Sequence, residues 1–126
     1  YTWYNRGAAL LNLKRYKEAL KSYDRALKIQ PDDHYTWYNR GAALLNLKRC
    51  KEALKSCDRA LEIQTDYHYA WYNRSIVLRS LGRIEESGIS FLKFLHYQPS
   101  SEKNWYFKLL TWIFSNYANL DADNEN

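Results

Sequence analysis

Apolar positions at the start of the chain fall into two blocks with helical spacing. Trp3, Gly7 and Leu10 recur at intervals of three and four, which keeps side chains on one face of an α-helix. After Lys14-Arg15 a second block follows with Tyr16, Ala19, Leu20, Tyr23, Ala26 and Leu27, and Pro31 ends it. The pattern predicts a helical hairpin. Gly7 and Ala19 are small enough to let its two helices approach closely, while Trp3 and Tyr23 fill the space beside them. Lys14 stands at a helix end where the backbone often turns left-handed, and is expected to cost on the order of 1 kcal/mol there.

The pattern then returns. Residues 1–34 and 35–68 agree at 29 of 34 positions, differing only at Tyr16/Cys50, Tyr23/Cys57, Lys28/Glu62, Pro31/Thr65 and Asp33/Tyr67. Residues 69–102 continue the period with Trp71, Leu78, Leu81, Arg83, Glu86 and Leu95 in phase, and Lys103 to Phe107 begin a fourth unit. A fixed period of 34 marks a solenoid, in which each unit buries its apolar face by stacking on its neighbours and about three units are needed for stability. The expectation is an all-α solenoid of three hairpins, 1–34, 35–68 and 69–102, with a terminal helix at 103–118. Together these make one domain over 1–120, followed by an acidic polar tail at 121–126. In the third unit Gly88 and Phe94 replace Leu20 and Ala26, a loss and a gain of volume that a repacked core is expected to absorb.

The run Trp3-x2-Arg6-Gly7-x2-Leu10, followed by Ala19-x3-Tyr23, Ala26 and Pro31, resembles the tetratricopeptide repeat family, and the W-Y-N-R-G runs resemble its bacterial arrays. Unit two keeps Trp37, Gly41, Ala53 and Ala60. Unit three keeps Trp71 and Pro99 but has Ser75, Ser87 and Phe94. The resemblance implies a right-handed superhelix whose first helices line a concave groove for a protein or peptide partner. The residues turned to that side are Tyr4, Asn5, Ala8 and Asn12, then Tyr38, Asn39, Ala42 and Asn46, then Tyr72, Asn73, Ile76 and Arg79. Asn both donates to and accepts from a peptide backbone, and Tyr supplies contact area at low entropic cost. Asn5, Asn39 and Asn73 resemble the asparagine ladder of superhelical members. The alternative for any one tyrosine is packing on a neighbouring helix. The family's clamp for chaperone carboxylates falls on Tyr4, Ala8, Asn39, Tyr69 and Asn73, where only Asn39 fits, so a different partner is expected.

Charge adds a competing reading. The chain has 19 Lys and Arg against 14 Asp and Glu, and three of the acids, Asp121, Asp123 and Glu125, lie in the tail. Lys14, Arg15 and Lys17, with Lys48, Arg49 and Lys51, align along one edge of a stacked array, interrupted by Glu85 and Glu86. Such an edge, interleaved with tyrosines, suits nucleic acid through phosphate contacts and stacking. A solvated charged edge is the plainer expectation. Arg6, Arg40 and Arg74 lie where the family is apolar, and Asp24 and Asp58 are their expected ion-pair partners, with one pairing lost in unit three at Leu92. Cys50 and Cys57, about 10.5 Å apart along a helix, cannot form a disulfide with each other and are expected to be buried apolar groups. His34, His68 and His96 are expected to cap helices or lie on the surface. No motif for phosphate binding, nucleophilic catalysis or metal ligation occurs, so the chain is not expected to be an enzyme or to hold a cofactor or metal.

The helix at 103–118 is apolar almost all round. Trp105, Leu109 and Trp112 stand on the face that earlier units cover with their second helix, while Tyr106, Leu110 and Ile113 are expected to pack on Phe91, Leu92 and Leu95. The strip predicts a contact, most simply a homodimer; a self-assembling structural module is the related alternative. Lys103 and Lys108 alone give the helix no charged face for a membrane surface. No apolar run reaches the ~18 residues of a membrane span. Without a leader in the sequence, the cytoplasm is the default location, and a first residue in mid-pattern with no Met suggests a segment of a longer protein.

Overall fold

The computed structural model describes residues 2–99 together with Leu109, Leu110 and Ile113. Six helices follow in order: α1 Trp3–Asn12, α2 Tyr16–Ile29, α3 His34–Asn46, α4 Cys50–Ile63, α5 His68–Ser80 and α6 Ile84–Tyr97. They pair as hairpins α1–α2, α3–α4 and α5–α6, and each hairpin stacks on the next through α2–α3 and α4–α5. Contacts also join α1 to α3 and α3 to α5, whereas no comparable contact joins α2 to α4 or α4 to α6. The first helices therefore lie on the inner side of the curve. This is the all-α solenoid expected from the repeat.

The turn inside each hairpin closes in the same way. Lys14 N–H donates to the Leu11 carbonyl and Arg15 N–H to that of Leu10, both at 2.9 Å, and the same pair of bonds recurs at Lys48-Arg49 and Gly82-Arg83. These satisfy the last carbonyls of the first helix but need a left-handed residue. Lys14 and Lys48 adopt φ 60°, beside 78° at Gly82. Two of the three turns thus place a side chain where glycine fits without strain.

Inside the first hairpin Tyr23 is fully buried beside Ala19 and Leu10. A Cβ at Gly7 would lie 2.6 Å from the Tyr23 ring, so glycine is what admits that ring. In the second hairpin Cys57 takes the same place, 3.2 Å from a Cβ at Gly41. Leu20, Leu44, Ala53 and Val77 form a buried cluster that runs through all three units.

The arginines pair as the sequence suggests, but across units. Arg40 Nε lies 2.7 Å from Asp24 and its Nη1 donates to Ser56 Oγ at 2.6 Å. Arg74 repeats this with Asp58 and Ser90 at the same distances. Each arginine ties its own hairpin to the preceding one, so Leu92 does not deprive Arg74 of its aspartate; the expected loss in unit three does not occur. Arg6 lies over Trp3 at 5.5 Å. The two exchanged positions of unit three have different surroundings. Phe94 packs on Tyr72 and Phe91, while among the described residues nothing lies within 4 Å of a Cβ at Gly88.

Candidate functional site

The inner face carries a row of tyrosines and asparagines joined from one unit to the next. Asn39 Nδ2 donates to the Tyr4 hydroxyl at 3.2 Å and to the Tyr35 carbonyl at 2.9 Å. A primary amide has two N–H donors, and both are used here. What Asn39 retains is its carbonyl oxygen, and what Tyr4 retains is its own O–H. A hydrogen bond from the Asn73 side chain likewise acts on Tyr38. The ladder thus first holds adjacent units in register, and at the Tyr4–Asn39 rung presents one acceptor and one donor.

The sequence-derived residues divide by exposure. Asn5, Asn12, Asn46, Tyr72 and Arg79 are exposed; Tyr4, Ala8, Tyr38, Asn39, Ala42 and Ile76 are half-buried; Asn73 is buried. Asn46 donates to the Ala42 carbonyl of its own helix at 2.8 Å. Trp105 and Trp112 lie outside the described residues, as do the acidic tail and most of the helix at 103–118. Leu109, with Leu110 and Ile113, is helical and half-buried.

Tyr67 was not among the expected site residues. It stands where the first junction has Asp33, which caps α3 by accepting from Tyr35 N–H at 3.1 Å and from the Thr36 hydroxyl at 2.8 Å. Tyr67 makes no such cap. Its ring instead meets His34, Tyr35, Tyr38 and Tyr69 edge-on, at 5.0, 5.5, 5.3 and 5.7 Å between centroids. Burial, with Tyr38 and Tyr35 nearby, pushes its phenol well above the usual range. The signal was present as one of the five differences between units one and two; its meaning depended on knowing that this place lies beside Tyr38 and Tyr35. His34 and His68 are also not caps or surface groups. Each is the first residue of its helix, half-buried, with its ring on Tyr35 or Tyr69 at 4.0 and 4.1 Å. Tyr35, Tyr69 and Tyr72 remain 51, 48 and 44% exposed; the first two stand beside Tyr67 and the third beside Phe94.

The basic edge is partly neutralised. Arg15, Arg49 and Arg83 pair with Glu18, Glu52 and Glu86, one helical turn on, at 2.6 to 2.7 Å. Cys57 is buried, and burial pushes its thiol up to about 12; Cys50 is half-buried. Among the described residues no group of His, Cys, Asp or Glu is placed to hold a metal ion, and no helix is long and apolar enough to cross a membrane.

Solved structures share this architecture. The second tetratricopeptide domain of Spaghetti (RPAP3), bound to the HSP90 peptide SRMEEVD, superposes with a TM-score of 0.75 at 24% identity, over 76% of this chain and 89% of that one. The second such domain of human RPAP3, in complex with the HSP70 peptide SGPTIEEVD, gives 0.75 at 24% identity, over 81 and 85%. The Arabidopsis OM64 tetratricopeptide domain gives 0.76 at 25% identity, over 80 and 84%. No curated protein matches the chain. The tetratricopeptide repeat profile matches residues 1–33 and 34–67, in step with the hairpins described above. By its repeat period, its stacked hairpins and this match, the chain belongs to the tetratricopeptide repeat family.

Proposed function

We propose that the chain is a non-enzymatic interaction scaffold, one domain over residues 1–120, that holds an extended polypeptide against its inner face. The observation that carries this reading is the Tyr4–Asn39 rung, which fixes the spacing of neighbouring units while leaving a carbonyl oxygen and a phenolic O–H unspent. An extended strand offers N–H and C=O groups that match such a pair. The exposed rings of Tyr35, Tyr69 and Tyr72 add contact area beside it. That solved relatives of this fold hold peptides supports the class of ligand. The acidic peptides named in those complexes do not transfer, because Ala8 and Tyr69 supply no cation where a carboxylate would need one.

The nucleic-acid reading draws on Lys14, Lys48 and their neighbours, but pairing of Arg15, Arg49 and Arg83 with glutamates weakens it. A peptide selected from a random displayed library on the 126-residue chain separates the two. Binding of that peptide should persist at ~0.5 M salt and fall at least about tenfold in Tyr35→Ala/Tyr72→Ala, as loss of two aromatic anchors implies. Lys48→Ala/Arg49→Ala should leave it unchanged. Tyr38 and Asn39 are poorer probes, since each also ties two units together. Steeply salt-dependent binding of single-stranded RNA, lost with Lys48 and Arg49, would favour the competing reading.

A further inference from the structure

Arginines and lysines have different fates in units one and two. The arginines take up the carboxylates: Arg15 and Arg49 hold Glu18 and Glu52, Arg40 and Arg74 hold Asp24 and Asp58, and Arg59 holds both Asp32 and Glu62. The two acids that remain, Asp33 and Asp66, accept from Tyr35 N–H and from the Gln64 amide. Among the described residues no lysine of these units is in an ion pair, and all of them are exposed.

Helical spacing gathers these free charges. Lys17, Lys21 and Lys28 lie at i, i+4 and i+11, within about 40° of one line along α2. The repeat places Lys51 and Lys55 of α4 in the positions of Lys17 and Lys21. Asp24 and Asp58, which share the line, are already held by arginines of the following unit. Both helices are second helices, so the two rows stand on the outer side of the curve, whereas Tyr35, Tyr69 and Tyr72 stand on first helices. In unit three Glu85 and Ile89 take the two lysine positions, and the pattern stops.

The chemistry of the rows selects the partner. A field of one sign without counter-charge of its own is complementary to a polyanion. Its carriers are ammonium groups, hydrated point charges, while the guanidinium forks that grip single phosphates are spent on carboxylates. Neither α2 nor α4 has an exposed ring, since Tyr16 is half-buried and Tyr23 buried. Single-stranded nucleic acid draws much of its binding from such rings, whereas an anionic bilayer needs only cations presented together on one side. We infer that the outer face of units one and two docks on an anionic lipid surface through Lys17, Lys21, Lys28, Lys51 and Lys55. The inner groove then faces away from the bilayer, and the two surfaces are independent.

Co-sedimentation of the whole chain with lipid vesicles tests this. Phosphatidylcholine vesicles carrying about 30% phosphatidylserine should bind the chain, and pure phosphatidylcholine vesicles should not. Binding should weaken at least about tenfold between roughly 0.05 and 0.3 M salt. Lys17→Glu/Lys21→Glu and Lys51→Glu/Lys55→Glu should each weaken it by about tenfold or more. Glu85→Lys carries the pattern into unit three and should tighten binding several-fold, which decides the matter if a lysine variant fails to fold. Tyr35→Ala/Tyr72→Ala should bind vesicles as wild type does. No binding at low salt, equal binding to neutral vesicles, or binding that survives both lysine reversals would each overturn the assignment. So would indifference to Glu85→Lys, or loss of vesicle binding with the two tyrosines. A DNA or RNA duplex that displaces vesicles of equal charge, and does so through the same lysines, would put nucleic acid in place of lipid and overturn it as well.

Discussion

The first two units share 29 of 34 residues and second helices of equal length, yet one keeps its odd tyrosine inside the hairpin and the other carries it at the junction. Unit one puts Tyr23 wholly inside, against Gly7. Unit two has the smaller Cys57 inside and carries Tyr67 at the junction with unit three. The hairpin accommodates either side chain because a glycine on the facing helix leaves room for both, so the backbone does not register the exchange. The junction does: the first is capped by a carboxylate, the second gathered around a ring. In a solenoid the interior of a unit is tolerant of such an exchange, and chemical individuality accumulates where units meet.

The largest effect that sharpens this comparison is steric. Gly7→Ala drives a Cβ into the Tyr23 ring and should cost about 2 to 3 kcal/mol in urea unfolding, at the upper end for an overpacked core. Gly41→Ala, which meets only the Cys57 sulfur at 3.2 Å, should cost under about 1 kcal/mol. Gly7→Ala combined with Tyr23→Cys should bring the loss down to the Gly41 level measured on a Tyr23→Cys background. Equal losses at the two glycines would show that the interiors do not differ as described.

At the junction, Tyr67→Ala removes several edge-on ring contacts and should cost about 2 kcal/mol, with faster hydrogen exchange in the first turn of α5. Tyr67→Asp, which copies the first junction, should recover roughly 1 kcal/mol of that by capping the helix. A Tyr67→Asp variant no more stable than Tyr67→Ala would mean that the two junctions are not interchangeable solutions.

A smaller effect is expected in alkali. Burial raises the Cys57 thiol from about 9 to about 12, so the folded chain holds this proton more tightly than the unfolded one. Its contribution is intact below about pH 9 and is lost as pH rises from there toward 12, amounting to roughly 1 kcal/mol at pH 10. Tyr23, also raised chiefly by burial, adds to the decline above its ordinary value near 10. Urea midpoints at pH 7, 9 and 10 should show a shallower loss in Cys57→Ser.

The smallest expected changes are gains. Lys14→Gly and Lys48→Gly each relieve a left-handed lysine and should stabilise by about 0.5 to 1 kcal/mol, adding nearly independently because the turns do not touch. Gly82→Lys should lose a similar amount. Opposite signs at these positions would contradict the common turn geometry.

The architecture was legible because a 34-residue period repeats three times with its small and large residues in register. Lys14 was legible as a strained turn because Gly82 occupies the same place. The arginine pairs were legible in identity but not in direction, since sequence phase alone does not say whether Asp24 serves Arg6 or Arg40. The fate of the asparagines was hidden for a similar reason. Periodicity placed Asn39 on the inner face, but only coordinates show its two donors spent on Tyr4 and Tyr35. Tyr67, His34 and His68 fall at the junction, where the helical period breaks and pattern carries no directional information.

α3 and α5 are each held to the unit before them at two places around their circumference. For α3, Asn39 reaches Tyr4 on the inner side, while Arg40, the next residue, reaches Asp24 toward the outer side. Two such pins off a common axis resist rolling and bending together, as a single pin would not. The array between Tyr4 and Arg74 should therefore behave as a stiff spring with a preset pitch. A ligand would have to match that pitch, and stretching between its ends should show a steep initial resistance that softens when either pin is removed.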